Sequence, residues 1–286
     1  MWHWRYLLKL FGPLVAWRAR RRDVDALRVL VYHDVPAETL ERFRQQMIRL
    51  QRYFYFVDPA AYIAGAVPKS RAGKMPLLLT LDDGFVSNRR AALDVLRPLG
   101  IRALFFIPSG YFNCDSLVEQ ESYLYERIYA GRYRRGDLPA GLAPMTWNDL
   151  KLLVKQGHVI GAHTVTHPRL GEMHDSAEIE KEVTDGGDEL ERRLDIKVDV
   201  FAIPFGQIGV ISPVALATAG RRYKKVFTCV RGDNRNVSPW ALRRECVESS
   251  EPPGYVLFQA AGGLANRYRI ARQKLDTMAA EAEKLG

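Results

Sequence analysis

The sequence contains few cysteines, and their spacing fits no cysteine-based site. Cys114, Cys229 and Cys246 are the only three in 286 residues, and they lie far apart along the chain. An odd count without paired spacing argues against a disulfide framework, and no spacing matches a cysteine metal motif. The cysteine content therefore indicates a reducing compartment, and we expect a cytoplasmic protein.

Low-complexity tracts, regular repeats and membrane-length apolar runs are also missing. What remains is a chain whose length of 286 residues and hydrophobic content of 47% fit one enzyme-sized domain with extensions. We predict a barrel domain over residues 26–250. A basic amphipathic N-terminal segment, residues 1–25, precedes it, and a C-terminal helical extension, residues 251–286, follows it.

Acidic residues are absent from the first 22 positions, which hold six basic residues among Trp and Leu side chains. The apolar run there is broken by Lys9, so it is too short to span a membrane, and it lacks the layout of a secretory signal. Two interpretations stay open: peripheral contact of residues 1–22 with the inner face of a membrane, or a helix packed on the barrel with a solvated basic face. The net charge of +9 is accompanied by no nucleic-acid motif, so we expect no nucleic-acid partner.

Strand and helix patterns alternate along the chain. The predicted strands cover residues 28–32, 77–81, 103–107, 159–162, 200–203 and 226–230, and the predicted helices between them include residues 39–50, 88–99 and 176–194. This alternation predicts an α/β fold with parallel strands and outer helices. In a barrel of this type, functional residues collect at the C-terminal ends of the strands.

The first candidate motif is Leu79-Thr80-Leu81-Asp82-Asp83-Gly84-Phe85, where an apolar run ends in two carboxylates. Adjacent side chains at a strand end point in different directions, so one acid can bind a metal while the other faces a substrate. Considered alone, the motif also fits a strand that runs into an ordinary Asp-Gly turn.

A second predicted strand ends in His163 and His167, two of the six histidines of the chain. Histidines four residues apart can bind one metal ion, although such a pair alone is more often ordinary surface chemistry. With Asp83 they would form a two-histidine, one-carboxylate site with open positions. A hydrolytic metal centre needs such positions for water and substrate.

A third strand end, Ala202-Ile203-Pro204-Phe205-Gly206, completes a set of motifs that resembles the polysaccharide deacetylase family, the NodB homology domain of carbohydrate esterases. The family motif Thr-Phe-Asp-Asp-Gly is matched by residues 80–84 with Leu in place of Phe, and His-Ser/Thr-x-x-His is matched by residues 163–167. The resemblance covers residues 27–247 and implies a distorted (β/α) barrel of about seven parallel strands. We expect one divalent metal ion, zinc being the first choice, on Asp83, His163 and His167.

The chain departs from the usual family pattern in two places. Ala202 stands where the family usually has an arginine that pairs with the catalytic base, and no histidine follows His174 to act as the usual C-terminal general acid. An exopolysaccharide-type subgroup instead has a Tyr-His motif at the end of the first strand, which Tyr32-His33 resembles. The subgroup resemblance extends to residues 240–244, where Arg244 is the first choice for the missing partner of the base.

The resemblance implies metal-dependent removal of an N-acetyl group from an amino sugar in a polysaccharide or a lipid-linked saccharide. Asp82 would act as general base and His33 as general acid, and the backbone N–H of Phe205 would stabilise the tetrahedral oxyanion. Two alternatives stay open. One is a deformylase or other amidohydrolase that acts on a lipid-linked sugar, and the other is a saccharide-binding barrel that has lost catalysis.

Residues 111–145 are the least regular segment, with tyrosines interleaved with arginines. We interpret the segment first as a surface insertion. The alternative is a wall of the substrate groove, in which tyrosine rings stack on sugars.

Overall fold

Parallel strands curl into a distorted barrel in the computed structural model, which describes residues 3–22, 24–130 and 142–286. The strands are β1 (Arg28–Tyr32), β2 (Phe54–Phe56), β3 (Met75–Leu81), β4 (Leu104–Ile107), β5 (Val159–Ala162), β6 (Val200–Ala202), β7 (Lys225–Phe227) and β8 (Glu245–Cys246). Seven of them follow the order β7-β6-β5-β4-β3-β1-β8, and β2 pairs with the first half of β3. All these pairings are parallel, so the predicted α/β barrel of about seven parallel strands is confirmed.

The central strands are continuous apolar runs because both of their faces are covered. All seven residues of β3 are buried, as are all five of β1. Tyr32 at the end of β1 pairs with Leu81 at the end of β3, so the next residues, His33 and Asp82, leave the sheet at the same level. The register therefore gathers the residues that follow the strands at one rim of the barrel.

The segment that leads into β8 connects the two edges of the sheet. The N–H of Leu242 donates to the carbonyl of Val226 (2.8 Å), and the N–H of Arg244 donates to the carbonyl of Val230 (3.2 Å). The next residue, Glu245, pairs with Leu30 of β1. Arg244 thus lies between the two edges, and its side chain is fully buried inside the barrel.

Ten α-helices accompany the strands in the described part of the chain. They are α1 (His3–Arg22), α2 (Leu40–Gln51), α3 (Pro59–Ile63), α4 (Val86–Ala91), α5 (Leu117–Tyr123), α6 (Trp147–Lys155), α7 (Ser176–Leu194), α8 (Pro213–Arg222), α9 (Pro253–Ala260) and α10 (Arg269–Leu285). The prediction for α7 is confirmed over its full length. The helix predicted over residues 88–99 is instead α4 followed by a π-helical turn, Ala92–Leu96.

Helix α1 packs on α9 through a stripe of small residues. A Cβ atom on Gly12 would lie 2.5 Å from the carbonyl oxygen of Gly254, so the two backbones are in close contact. Ala16 is fully buried on the same side of α1. The segment therefore packs on the rest of the protein, as one of its two interpretations predicted. Residues 1, 2 and 23 of the predicted N-terminal segment lie outside the described residues.

None of the helices in the described ranges is both long enough and apolar enough to cross a membrane.

Candidate active site and metal centre

The rim of the barrel brings the two acids and the two histidines of the sequence motifs together. Asp82 and Asp83 follow β3, and the N–H of Asp82 donates to the carbonyl of Tyr32 (2.9 Å). His163 follows β5, and His167 comes from the loop after it. All four side chains are buried, although each carries a titratable group. Buried titratable side chains require hydrogen-bonding or ionic partners, and the interatomic distances identify those partners.

Asp83, His163 and His167 form the one candidate metal group that the described residues contain, with ligand atoms all within 4.8 Å of one another. The Oδ1 atom of Asp83 lies 3.6 Å from Nε2 of His163 and 3.4 Å from Nε2 of His167. This oxygen is buried and accepts no hydrogen bond of good geometry. A buried carboxylate oxygen without a donor fits a cation.

Both histidines present the nitrogen that a metal ion needs. Nδ1 of His163 lies 2.7 Å from the carbonyl oxygen of Ala202, and Nδ1 of His167 lies 3.3 Å from that of Arg127. We assign an N–H donor to each Nδ1, which leaves the Nε2 lone pairs directed at Asp83. Burial lowers the pKa of His163 to about 4, so this imidazole is neutral at pH 7. Two imidazole Nε2 atoms and a carboxylate oxygen are a ligand set that fits a divalent ion.

Left-handed backbone conformations concentrate at this site. Asp83 (φ 69°), Thr164 (φ 67°), His167 (φ 59°) and Phe205 (φ 59°) all have positive φ, which costs free energy in residues with a side chain. Such conformations persist when surrounding contacts fix them. Here they redirect the chain immediately after β3, β5 and β6.

Contacts with α7 hold the loop that carries the two histidines in position. Glu182 of α7 accepts hydrogen bonds from the backbone N–H groups of Val165 (2.9 Å) and Thr166 (2.8 Å). One turn later, a Cβ atom on Gly186 would lie 2.8 Å from the carbonyl carbon and oxygen of Thr164. Glu182 was not among the predicted site residues, because only the fold brings it to a loop that lies 16 residues away in sequence.

Arg244 forms a bidentate ion pair with Asp82. Its Nη1 and Nη2 atoms lie 2.7 and 2.8 Å from the two carboxylate oxygens, and its Nε donates to the carbonyl of Thr228 (2.9 Å). Burial lowers the pKa of Arg244, but the charge of Asp82 raises it above the ordinary value, so the guanidinium remains protonated. At Ala202, where the family usually has arginine, the backbone carbonyl supports His163 instead.

His33 and Phe205 border two adjoining cavities. The first, about 410 Å³, is also lined by Asp83 and His167, and so includes one side of the candidate metal group. The second, about 480 Å³, extends away from that group toward Arg231 and Tyr268. The exposed side chain of His33 therefore lies in an open cleft that reaches the buried Asp83.

The segment that we interpreted first as a surface insertion also reaches this cleft. Tyr129 lines the 410 Å³ cavity, and the Tyr123 hydroxyl donates to the carbonyl of Val165 (2.6 Å). The Arg127 carbonyl lies beside His167, as described above. Four residues of the sequence pattern lie outside the described residues: Tyr133, Arg132, Arg134 and Arg135.

Comparison with known families decides the classification of this fold and site. A family model described as polysaccharide deacetylase matches residues 69–223, which is more than half of the chain. The chain belongs to the polysaccharide deacetylase family. The predicted resemblance is thus confirmed, and with it the class of enzyme, a hydrolase that acts on carbon–nitrogen bonds other than peptide bonds.

Solved structures of polysaccharide deacetylases and related proteins share the fold. The Streptococcus pyogenes deacetylase PplD in complex with acetate is 20% identical, with a TM-score of 0.64 over 82% of this chain and 98% of PplD. IcaB from Ammonifex degensii is 25% identical, with a TM-score of 0.61 over 83% of this chain and 97% of IcaB. The putative polysaccharide deacetylase BA0330 from Bacillus anthracis is 16% identical, with a TM-score of 0.63 over 82% of this chain and 69% of BA0330.

The search of curated protein sequences gave no match to this chain.

Proposed function

We propose that this polysaccharide deacetylase is a divalent-metal-dependent hydrolase that removes the N-acetyl group from an amino sugar of a saccharide chain. One juxtaposition carries the proposal: the buried group of Asp83, His163 and His167 lies directly beside Asp82, whose Oδ2 is 3.9 Å from Nε2 of His163. The three residues would hold the ion, for which zinc is the first choice. Asp82, fixed by Arg244, would serve as the general base.

An ion at this position would polarise the acetyl carbonyl and acidify a water molecule, which an amide with a poor leaving group requires. The chain's own residues supply the proton transfers. Asp82 uses one lone pair on each oxygen for Arg244, yet a carboxylate oxygen has a second lone pair with which it can accept a proton from water. Arg244 fixes the direction of that lone pair, which is a requirement for a base that acts at one defined atom.

Phe205 and His33 have the remaining two roles in the proposal. The backbone N–H of Phe205, in the left-handed turn after β6, would donate to the tetrahedral oxyanion, a contribution of about 3 kcal/mol in comparable sites. His33 would protonate the departing amine nitrogen. Its support is that it lines the same cavity as Asp83 and His167 from the side of the solvent, where an amino sugar would leave.

The cleft has the chemistry of a saccharide site. Its 480 Å³ arm combines the ring of Tyr268 with polar side chains such as Gln207 and Arg231. Aromatic faces and a dense set of hydrogen-bonding groups suit the alternating apolar and hydroxyl faces of sugars. We propose that this arm holds sugar units next to the one that is deacetylated, either in a polysaccharide or in a lipid-linked saccharide.

The alternative of a barrel that has lost catalysis rested on the missing arginine at Ala202. The bidentate contact of Arg244 with Asp82 argues against it, because the carboxylate has a guanidinium partner from another segment. A deformylase would use the same residues, so the acyl group is a matter for experiment. We propose in addition that the enzyme is cytoplasmic, and the three free thiols support this location.

The test measures acetate and formate release from N-acetylated and N-formylated amino-sugar oligomers, together with bound metal. The double variant His163→Ala, His167→Ala should lose stoichiometric metal and hydrolysis together. Asp82→Asn should retain metal and lose at least about 10²-fold in turnover. His174→Ala, at an exposed histidine outside the cleft, is the matched control. Full metal occupancy in the double variant would overturn the metal assignment, and release of formate alone would replace the deacetylase with the deformylase.

A further inference from the structure

The outward face of α1 carries large apolar side chains that no described part of the chain covers. Leu10 is 69% exposed, Phe11 50%, Leu14 46% and Trp17 48%. With 3.6 residues per turn, Leu10, Leu14 and Trp17 form one stripe, with Phe11 beside it. We call this set, Leu10, Phe11, Leu14 and Trp17, the α1 apolar face.

The orientation of this face is fixed by the opposite side of the helix. Gly12, Ala16 and Ala19 are buried, and they lie about half a turn away from the apolar face. Gly12 is in close backbone contact with Gly254 of α9. Pro13 cannot donate the helical hydrogen bond to the carbonyl of Lys9, and that carbonyl faces Gly254 in the same contact. The helix therefore cannot turn its apolar residues inward without losing this contact.

Positive charge is concentrated at the C-terminal end of the α1 apolar face. Arg18, Arg20, Arg21 and Arg22 are all exposed in the last turns of α1, and the helix contains no acidic residue. The guanidinium of Arg21 stacks on the ring of Trp17, 4.1 Å from its centroid, which places a cation directly on the apolar stripe. A tryptophan with basic neighbours suits the boundary between lipid headgroups and acyl chains.

From these observations we infer that α1 docks the enzyme on the surface of an anionic lipid bilayer, with the α1 apolar face in the interface and the arginines on the headgroups. The charge selects this occupant, because the basic end of α1 complements anionic headgroups, whereas a second copy of a chain with net charge +9 carries charge of the same sign. The helix lies along the surface and does not span it, in agreement with its length and composition.

The docked helix is separated from the substrate cleft by α9 alone. Gly254 and Leu257 of α9 face Gly12, whereas Tyr255 and Gln259 of the same helix line the 480 Å³ cavity. Docking through α1 thus holds this arm of the cleft close to the lipid surface. This supports the lipid-linked form of the substrate within the proposed function, but docking itself does not depend on that function.

The experiment is co-sedimentation of the full chain with vesicles of phosphatidylcholine containing about 30% phosphatidylglycerol, and with phosphatidylcholine alone. Binding is expected only to the anionic vesicles and should weaken as salt is added. The variant Leu14→Ser, Trp17→Ser should lower the partition coefficient at least about tenfold, and Arg18→Gln, Arg22→Gln should lower it by a similar factor. Circular dichroism checks that each variant is folded.

The matched controls remove two exposed apolar side chains and two positive charges elsewhere on the surface. Val67 is 78% and Leu117 76% exposed, so Val67→Ser, Leu117→Ser is the apolar control, and Arg52→Gln, Arg90→Gln is the charge control. Both should bind vesicles as the wild type does. The inference is overturned if the α1 variants also bind like the wild type. It is overturned equally if the chain does not bind vesicles and light scattering gives the mass of a dimer in place of the 32.6 kDa of one chain. In that case the Leu14→Ser, Trp17→Ser variant would dissociate the dimer.

Discussion

At Asp82, one guanidinium donates to both oxygens of a buried carboxylate, and the two partners lie 162 positions apart in the sequence. The planar fork of arginine matches a carboxylate in two directions at once, whereas an ammonium is a point charge. The value of Arg244 to the site therefore lies in its geometry as well as its charge. Substitution by lysine separates these two contributions.

We predict that Arg244→Lys lowers kcat about 10²-fold, because the carboxylate keeps a cation but loses its fixed direction. KM and metal content should change little, because Arg244 is fully buried, does not line the cleft and contacts none of the three candidate metal ligands. Steady-state kinetics and metal analysis measure the three quantities. The neighbouring Arg243→Lys is the control, because Arg243 pairs with the half-exposed Asp276 outside the site. Equal losses in both variants would reduce Arg244 to a structural role.

His33 lies at the solvent side of the cleft, so its role can be tested through the leaving group. An amine needs a proton to leave, whereas the anion of a nitrophenyl ester does not. We predict that His33→Gln lowers amide hydrolysis by roughly 10²–10⁴-fold and leaves hydrolysis of 4-nitrophenyl acetate nearly unchanged. A parallel loss on both substrates, measured by acetate release, would exclude the general-acid role.

The sequence predicts the residues of the site better than the contacts that position them. Asp82, Asp83, His163 and His167 were recognisable because polar residues followed apolar runs, and parallel strands gather their C-terminal ends. Glu182 could not be recognised in the same way, since a glutamate on an amphipathic helix looks like any solvated residue. It acts on backbone N–H groups, which have no signature in the sequence.

At the scale of elements, α7 illustrates how tertiary contacts override local preference. Two adjacent glycines at positions 186 and 187 weaken a helix by roughly 1 kcal/mol each, which favours a kink at this point. The helix nevertheless continues from Ser176 to Leu194, because its glycines lie where neighbours come too close for a side chain. The backbone of Thr164 occupies that space at Gly186, and the hydroxyl of Tyr223 occupies it at Gly187.

We predict that Gly186→Ala displaces the loop that carries the two histidines and weakens metal affinity at least about tenfold. The new methyl group would lie 2.8 Å from backbone atoms of Thr164, which cannot rotate away as a side chain can. Isothermal titration with zinc measures the effect. Gly209→Ala is the control, since no atom lies within 4 Å of its added methyl group. Unchanged affinity in Gly186→Ala would show that α7 does not set the loop.

At the scale of the whole molecule, stability should depend on pH through His158, which lies at the opposite end of β5 from the metal group. Its Nδ1 accepts a hydrogen bond from the N–H of Ala103 (3.1 Å), and burial, followed by the charge of Arg102, lowers its pKa from 6.5 to about 4. Below pH 6.5 the unfolded chain therefore binds a proton at His158, whereas the folded chain binds this proton only near pH 4. The stabilisation is complete above pH 6.5 and is lost as the pH falls toward 4.

The shift corresponds to about 3 kcal/mol of unfolding free energy. Denaturant unfolding of the wild type and His158→Gln should therefore give a stability difference that shrinks by about this amount between pH 7 and pH 4. Comparing the two proteins cancels the other titrating groups. His174→Gln, at an exposed histidine, should give a flat difference over the same range. A flat curve for His158→Gln as well would mean that this histidine titrates alike in both states.

The segment that joins the two edges of the sheet also determines the order in which the site is completed during synthesis. Asp83, His163 and His167 are all translated before residue 223, where the match to the family model ends. Arg244 follows Asp82 by 162 positions, roughly ten to thirty seconds of translation at ordinary rates. A nascent chain that stops at residue 240 thus contains every candidate metal ligand but no cation for its base. In the proposed mechanism, hydrolysis therefore requires the segment that joins the two edges of the sheet, and a product truncated before it would keep the candidate metal ligands without the partner of the proposed base.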